Sequence, residues 1–171
     1  MPVLSDIEIK KLIEQSSLID RMVNKGVQLQ PAGVDLTLSE IFEFKEAGCL
    51  DFTNKERVLP KCKKLKIYDE VKLKSGAYKV VYNEIIRVPP DCIGLAFPRS
   101  SLLRCGAFMH CAVWDPGYEG RSESLLIVSN KHGIKLKRNA RLAQLIFLKL
   151  SAKPKAKYSG KYLKENIKSI L

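Results

Sequence analysis

The spacing of apolar and polar positions changes period once along the chain, near residue 30. From Ser5 the segment SDIEIKKLIEQ sets Ile9, Leu12 and Ile13 at helical spacing, and Ser5 with Glu8 three residues later has the signature of a capping box. One short N-terminal helix is predicted there. Beyond it, VDLTL (34–38), FEF (42–44), KLKIYDEVKL (64–73), YKVVYNEIIRV (78–88), CIGLAF (92–97), SLLIVS (124–129), IKLKR (134–138) and LAQLIFLKL (142–150) read as short β runs. Turn residues at Pro31–Gly33, Lys74–Gly76, Pro89–Asp91, Asp115–Gly117 and Asn130–Gly133 separate them. The pattern is that of a mostly β domain: a sandwich, jelly roll or partly closed barrel.

A chain of 171 residues is read as a single domain spanning 1–171. The lysine-rich stretch 152–171 has no amphipathic period, so it is expected to be a basic C-terminal arm, mobile at first and able to order over a ligand. No apolar run reaches the roughly 18 to 20 residues that span a bilayer, and the first residues hold no apolar leader core. A cytoplasmic protein without a membrane partner is expected. The five cysteines form no CxxC pair, and the two histidines have no second ligand at metal spacing, so neither a disulfide framework nor a zinc site is suggested.

The net charge of +12 attracts polyanions without saying which. Aromatic residues are not interleaved with the basic ones and no recognition helix stands out, so nucleic acid is not the expected partner; a nucleoside triphosphate suits the charge equally well. FPRSSLLRCG is the richest segment. Arg99, Ser100, Ser101 and Arg104 place two guanidiniums and two hydroxyls within six residues, which is either a phosphate-binding composition or a serine N-cap beside solvated arginines. In HCAVWDPGYEG a strand is expected to end on Asp115, where Pro116-Gly117 would fix the carboxylate on a rim, able to orient a water or a sugar hydroxyl or serving only the turn. Asp35 in QPAGVDL suits a metal-bound water or an Asx turn, and Arg141 and Gln144 are the polar exceptions in an apolar strand, placed for a hydrogen-bond network or a subunit contact.

Taken in order, QPAGVDL, FPRSSLLRCG, AVWDPGYEG, NARLAQLIF and KYSGKY resemble the successive motifs of the dCTP deaminase/dUTPase superfamily, in its archaeal deaminase-like branch, from about Gln30 to Tyr162. The resemblance implies a distorted β-barrel or jelly roll of the dUTPase-like β-clip kind, forming a homotrimer with sites shared between subunits, and Mg²⁺ accompanying the triphosphate. By matching position, Arg99, Ser100 and Ser101 would hold phosphate oxygens, with Arg104 near the reaction centre. A hairpin from His110 through Cys111, Ala112 and Val113 to Asp115 would receive the pyrimidine and deoxyribose, with Gly117 in the turn behind it and Gln144 among the substrate-binding residues. Asp115 would hold the sugar hydroxyl and activate the water that attacks the α-phosphorus, Asp35 would support the metal through water, and Lys161 and Tyr162 would cover the triphosphate.

Two departures from the family pattern bear on function. The glutamate that activates water in the deaminases falls on Leu125 or Ile127 according to the direction of counting, and neither can move a proton; the nearest acid is Glu123. In the arm, the glutamine of the family's K-Y-x-x-Q is Glu165. The favoured reading is hydrolysis of dUTP to dUMP and pyrophosphate. A dCTP deaminase or bifunctional enzyme using Glu123, and a non-catalytic nucleotide or nucleic-acid-binding relative, are the alternatives.

Overall fold

A computed structural model describes residues 2–167; the last part of the expected arm, 168–171, lies outside the described residues. In chain order the elements are α1 (Asp6–Ser16), β1 (Ile19–Asp20), α2 (Lys25–Gln28), β2 (Leu29–Gln30), β3 (Gly33–Phe44), β4 (Cys62–Leu65), β5 (Glu70–Leu73), β6 (Gly76–Tyr82), β7 (Ile85–Arg87), β8 (Cys92–Pro98), α3 (Ser100–Arg104), β9 (Ala107–His110), β10 (Glu119–Gly120), β11 (Glu123–Val128), β12 (Ile134–Lys137) and β13 (Arg141–Lys149).

The capping box forms as the sequence predicts: the Ser5 hydroxyl accepts from the Glu8 amide, and the Glu8 carboxylate accepts from the Ser5 amide at 3.0 Å. The Leu4 amide donates to the Phe147 carbonyl at 2.9 Å, which stitches the start of the helix to β13, and Ile9 is fully buried against the barrel.

The principal sheet runs β8-β13-β3-β6-β11-β9, with β2 and β4 also paired to β3. Its two edges are drawn together by Trp114, just beyond β9, whose amide and carbonyl exchange hydrogen bonds of 3.0 and 2.9 Å with Gly94 of β8. A nearly closed barrel results, filled by the alternate side chains Leu36, Leu38, Val80, Tyr82, Leu126, Leu145 and Phe147. A small sheet β1-β7-β10 and the hairpin β5-β12 complete the β structure.

The strand boundaries differ from the sequence reading in three places. VDLTL and FEF belong to one strand, β3, whose register shifts between Leu38 and Glu40. KLKIYDEVKL divides between β4, which pairs with β3, and β5, which pairs with β12. YKVVYNEIIRV breaks after Tyr82, and β7 leaves for the small sheet. At this break Glu84 is fully buried and accepts from the Thr37 amide (2.9 Å), the Thr37 hydroxyl (2.6 Å) and the Gln28 side-chain amide (2.7 Å). Those bonds replace the ladder that an unbroken strand would have made.

Candidate functional site

Gly33 opens β3 where β13 passes so closely that a Cβ would stand 2.4 Å from the Leu145 carbonyl oxygen. That approach places Asp35 directly opposite Gln144 across the strand pair. Arg99, at the start of α3, is anchored by its amide to the Leu142 carbonyl at 2.9 Å and sends Nε to Asp35 Oδ2 at 3.0 Å. Arg141 Nη1 reaches the same oxygen at 3.0 Å and also donates to the Val27 carbonyl. Only 1% of the Asp35 side chain is exposed; burial pushes its carboxyl above the usual range against the pull of Arg99 and Arg141.

Asp35, Arg99, Ser100, Gln144 and Gln30 line one cleft of about 460 Å³. Ser100, Ser101 and Arg104 are exposed on the five-residue turn α3, whose leading amides have no intrahelical partner. Asp35, expected to support a metal through water, has its Oδ2 held by both guanidiniums.

The second cleft, of about 260 Å³, is built around the turn after β9. The expected hairpin strand to Asp115 ends earlier, at His110, because β9 stops pairing with β11 there and Trp114 turns to bridge β8. The Tyr118 amide donates to the Asp115 carbonyl at 3.0 Å, and Gly117 takes φ +83°, so the Pro-Gly turn fixes an exposed Asp115 on the rim. Ala112, Val113, Asp115 and Tyr162 line this cleft together with Trp114, Tyr118 and Glu123. His110 is exposed and packs edge-on to Phe108, and Cys111 accepts from Ser124 Oγ at 3.3 Å beside the buried Tyr82 hydroxyl. Lys161 is exposed on the arm. The two clefts share no lining residue within the protomer.

The described part of the arm is docked beside the second cleft. The Tyr158 amide donates to the Pro116 carbonyl (2.8 Å), Lys164 to Glu119 (2.7 Å), and the Arg121 amide to the Glu165 carbonyl (3.0 Å). Glu165 points inward, where the Tyr118 hydroxyl donates to its carboxylate at 2.7 Å, and burial pushes it up to about 7.

On β11 the residues Glu123, Leu125 and Ile127 share the less buried face, as strand alternation requires. Glu123 accepts from Lys79 Nζ at 3.0 Å and from Asn166 Nδ2 at 3.2 Å, so its carboxylate is already tied on both sides.

Several cleft residues escaped the sequence reading. Tyr118, Ser122 and Trp114 form a hydrogen-bonded wall, with the Trp114 indole donating to Ser122 Oγ. Arg121 is buried, donates from Nε to the Tyr82 carbonyl (3.2 Å) and from Nη2 to Ser39 Oγ (2.7 Å), and has its guanidinium pushed down by that burial. Alternation along EGRSES sets position 121 in phase with Glu123 and Leu125 on the less buried face, so the burial of Arg121 left no signal in the local pattern.

Residues 3–150 match the family model described as dCTP deaminase-like. A protein of Methanosarcina acetivorans named probable deoxyuridine 5'-triphosphate nucleotidohydrolase is 46% identical over 171 residues, covering 98% of this chain and 100% of its own length. One of Archaeoglobus fulgidus with the same name is 46% identical over 169 residues, covering 99% and 100%. Among solved structures, the 2'-deoxycytidine 5'-triphosphate deaminase of Agrobacterium tumefaciens superposes with a TM-score of 0.69 at 23% identity, over 85% of this chain and 48% of that one, which speaks for the fold. The chain belongs to the dCTP deaminase-like family.

Proposed function

We propose that the protein is a dUTP diphosphatase, converting dUTP to dUMP and pyrophosphate. The observation that carries this reading is the exposed Asp115 carboxylate, fixed by its Pro-Gly turn on the rim of a cleft in which the β11 acid, Glu123, is already engaged by Lys79 and Asn166. Relatives matched over their full length at 42–46% identity bear the name probable deoxyuridine 5'-triphosphate nucleotidohydrolase, which supports the same substrate. Asp115 holds the deoxyribose hydroxyl and takes the proton of the attacking water, while Arg99, Ser100 and Ser101 bind phosphate oxygens and stabilise the charge that develops on the leaving pyrophosphate. The pyrimidine lies along Ala112 and Val113.

The two halves of this machinery line different clefts of one protomer, which favours a homotrimer in which one subunit supplies phosphate contacts and another the nucleoside pocket. No described helix is long and apolar enough to cross a membrane; a cytoplasmic location is part of the proposal. The described residues do not fit a metal held by the protein itself. They include no cluster of three acids, histidines or cysteines that could hold one, and Asp35 Oδ2 is taken by two guanidiniums. Mg²⁺ is therefore assigned to the oxygens of the triphosphate.

The test is release of pyrophosphate by purified protein from dUTP and not from UTP, with Mg²⁺ present. Asp115→Asn is expected to lower kcat by roughly 10² to 10⁴, the range for a lost general base. Absence of pyrophosphate release by the unaltered protein, or full activity of the Asn variant, overturns the assignment. Ammonia release from dCTP that is lost in Glu123→Gln would mark a deaminase instead.

A further inference from the structure

We infer that Glu165 is a positioning residue that fastens the C-terminal arm across the nucleoside cleft, by ending a hydrogen-bond chain that begins at the Trp114 indole. The inference rests on the reading of that cleft as the nucleoside site. The chain runs in one direction: Trp114 Nε1–H to Ser122 Oγ, the Ser122 hydroxyl to Tyr118 Oη at 3.0 Å, and the Tyr118 hydroxyl to Glu165 Oε1 at 2.7 Å. Each hydroxyl accepts once and donates once, which leaves the last acceptor position for a carboxylate or a carbonyl oxygen. All four residues line the cleft.

A second set of contacts holds the same stretch of arm. Lys164 donates its amide to the Glu119 carbonyl and Arg121 donates its amide to the Glu165 carbonyl, so the two segments run alongside each other in the same direction. Asn166, at φ +55°, donates from Nδ2 to the Arg121 carbonyl (3.0 Å) and to Glu123 Oε1 (3.2 Å), and Arg121 Nη1 donates back to the Asn166 carbonyl at 3.5 Å. Every one of these bonds is made by the chain itself. A carboxylate has no proton donor to offer a phosphate when ionised, so a glutamate at 165 gains by turning inward, where a donor waits.

The arrangement also links docking to pH. Glu165 faces Tyr118 from the turn, Glu123 from β11, Lys79 from β6 and Tyr162 from the arm itself. Burial raises its carboxyl to about 7, Glu123 adds to the rise, and Tyr118 and Lys79 oppose it. A free arm would titrate near the ordinary 4.5. The docked form therefore holds its proton more tightly than the free form: docking is strongest below about 4.5, weakens as pH rises towards 7, and is flat above that.

Hydrogen exchange of the full chain without nucleotide, corrected for intrinsic rates, reads docking directly at the Tyr158 and Lys164 amides. Protection is expected to fall several-fold in Glu165→Ala and in Tyr118→Phe, and in the unaltered protein between pH 5 and pH 7.5. Glu165→Gln, which keeps an oxygen acceptor for Tyr118, is expected to retain protection and to lose its dependence on pH. Near-uniform exchange across the variants, or a pH slope that survives in Glu165→Gln, overturns the inference. If the exchange pattern appears while dUTP is not hydrolysed, the proposed activity fails and the clasp stands; in an active enzyme, Glu165→Ala raises KM more than it lowers kcat.

Discussion

Glu84 is fully buried, and its three donors, two from Thr37 and one from Gln28, are all neutral. The Gln28 side chain also donates to the Asp35 carbonyl at 2.8 Å, so this carboxylate braces the strand that presents Asp35 to Arg99 and Arg141. Burial holds Glu84 above the ordinary 4.5 despite those donors, which means that the folded form retains the proton to higher pH than the unfolded chain. The contribution of this group to stability is therefore greatest below 4.5 and declines as pH rises towards its folded value. Glu84→Gln points an amide NH₂ at one of the three donors and is expected to cost about 1–3 kcal/mol, measured as a lowered urea midpoint with the pH slope of this group removed. In the sequence Glu84 was visible as an acid inside an apolar run. Its partners lie 47 and 56 positions away, and no local pattern connects them.

At the scale of elements, the sequence was most readable where the deciding contacts are local. α1 needs only Ser5, Glu8 and an apolar stripe, and the structure has them in place. The strands were recognised by alternation, but their ends are set by partners far along the chain. β3 continues through Ser39 and Glu40, where Arg121 donates to Ser39, and β9 gives up its ladder at His110 because Trp114 is claimed by Gly94. α2 is four residues long, capped by the Asn24 side chain on the Val27 amide at 3.1 Å, and is too short to leave a periodic trace. The arm read as mobile because its lysines carry no period; the backbone bonds that dock it are blind to side-chain pattern.

The pairing of β3 with β13 is the element contact on which the cleft of Asp35 and Arg99 depends. Besides the carbonyl of Leu145, a Cβ at position 33 would lie 3.2 Å from the Gln144 side chain, so both strands would have to part. Gly33→Ala is expected to destabilise the fold by about 1–3 kcal/mol, as overpacking does. It should also raise KM for dUTP beyond what the lowered thermal midpoint explains, since Asp35 and Gln144 face each other two residues on. An unchanged melting temperature would mean that the two backbones separate freely at this point.

For the whole molecule, the separation of the clefts is the feature with the widest consequence. Asp35, Arg99 and Ser100 line one and Ala112, Val113 and Asp115 the other, so under the proposed function a second copy of the chain would bring the nucleoside cleft to the phosphates. The motifs were legible in the sequence, but their division between two surfaces was not, because order along a chain says nothing about which side of a barrel a loop reaches. A mixing experiment reads this division. Arg99→Ala and Asp115→Asn chains are each expected to be inactive alone at a dUTP concentration near the KM of the unaltered enzyme. Co-expressed in equal amounts, they assemble some sites that draw Arg99 from one chain and Asp115 from the other. Random assembly restores about a quarter of the sites, so about a quarter of the unaltered activity is expected. Recovery to that level, with a kcat per restored site equal to that of the unaltered enzyme, supports the shared site; mixed oligomers that stay inactive would place the whole reaction within one protomer.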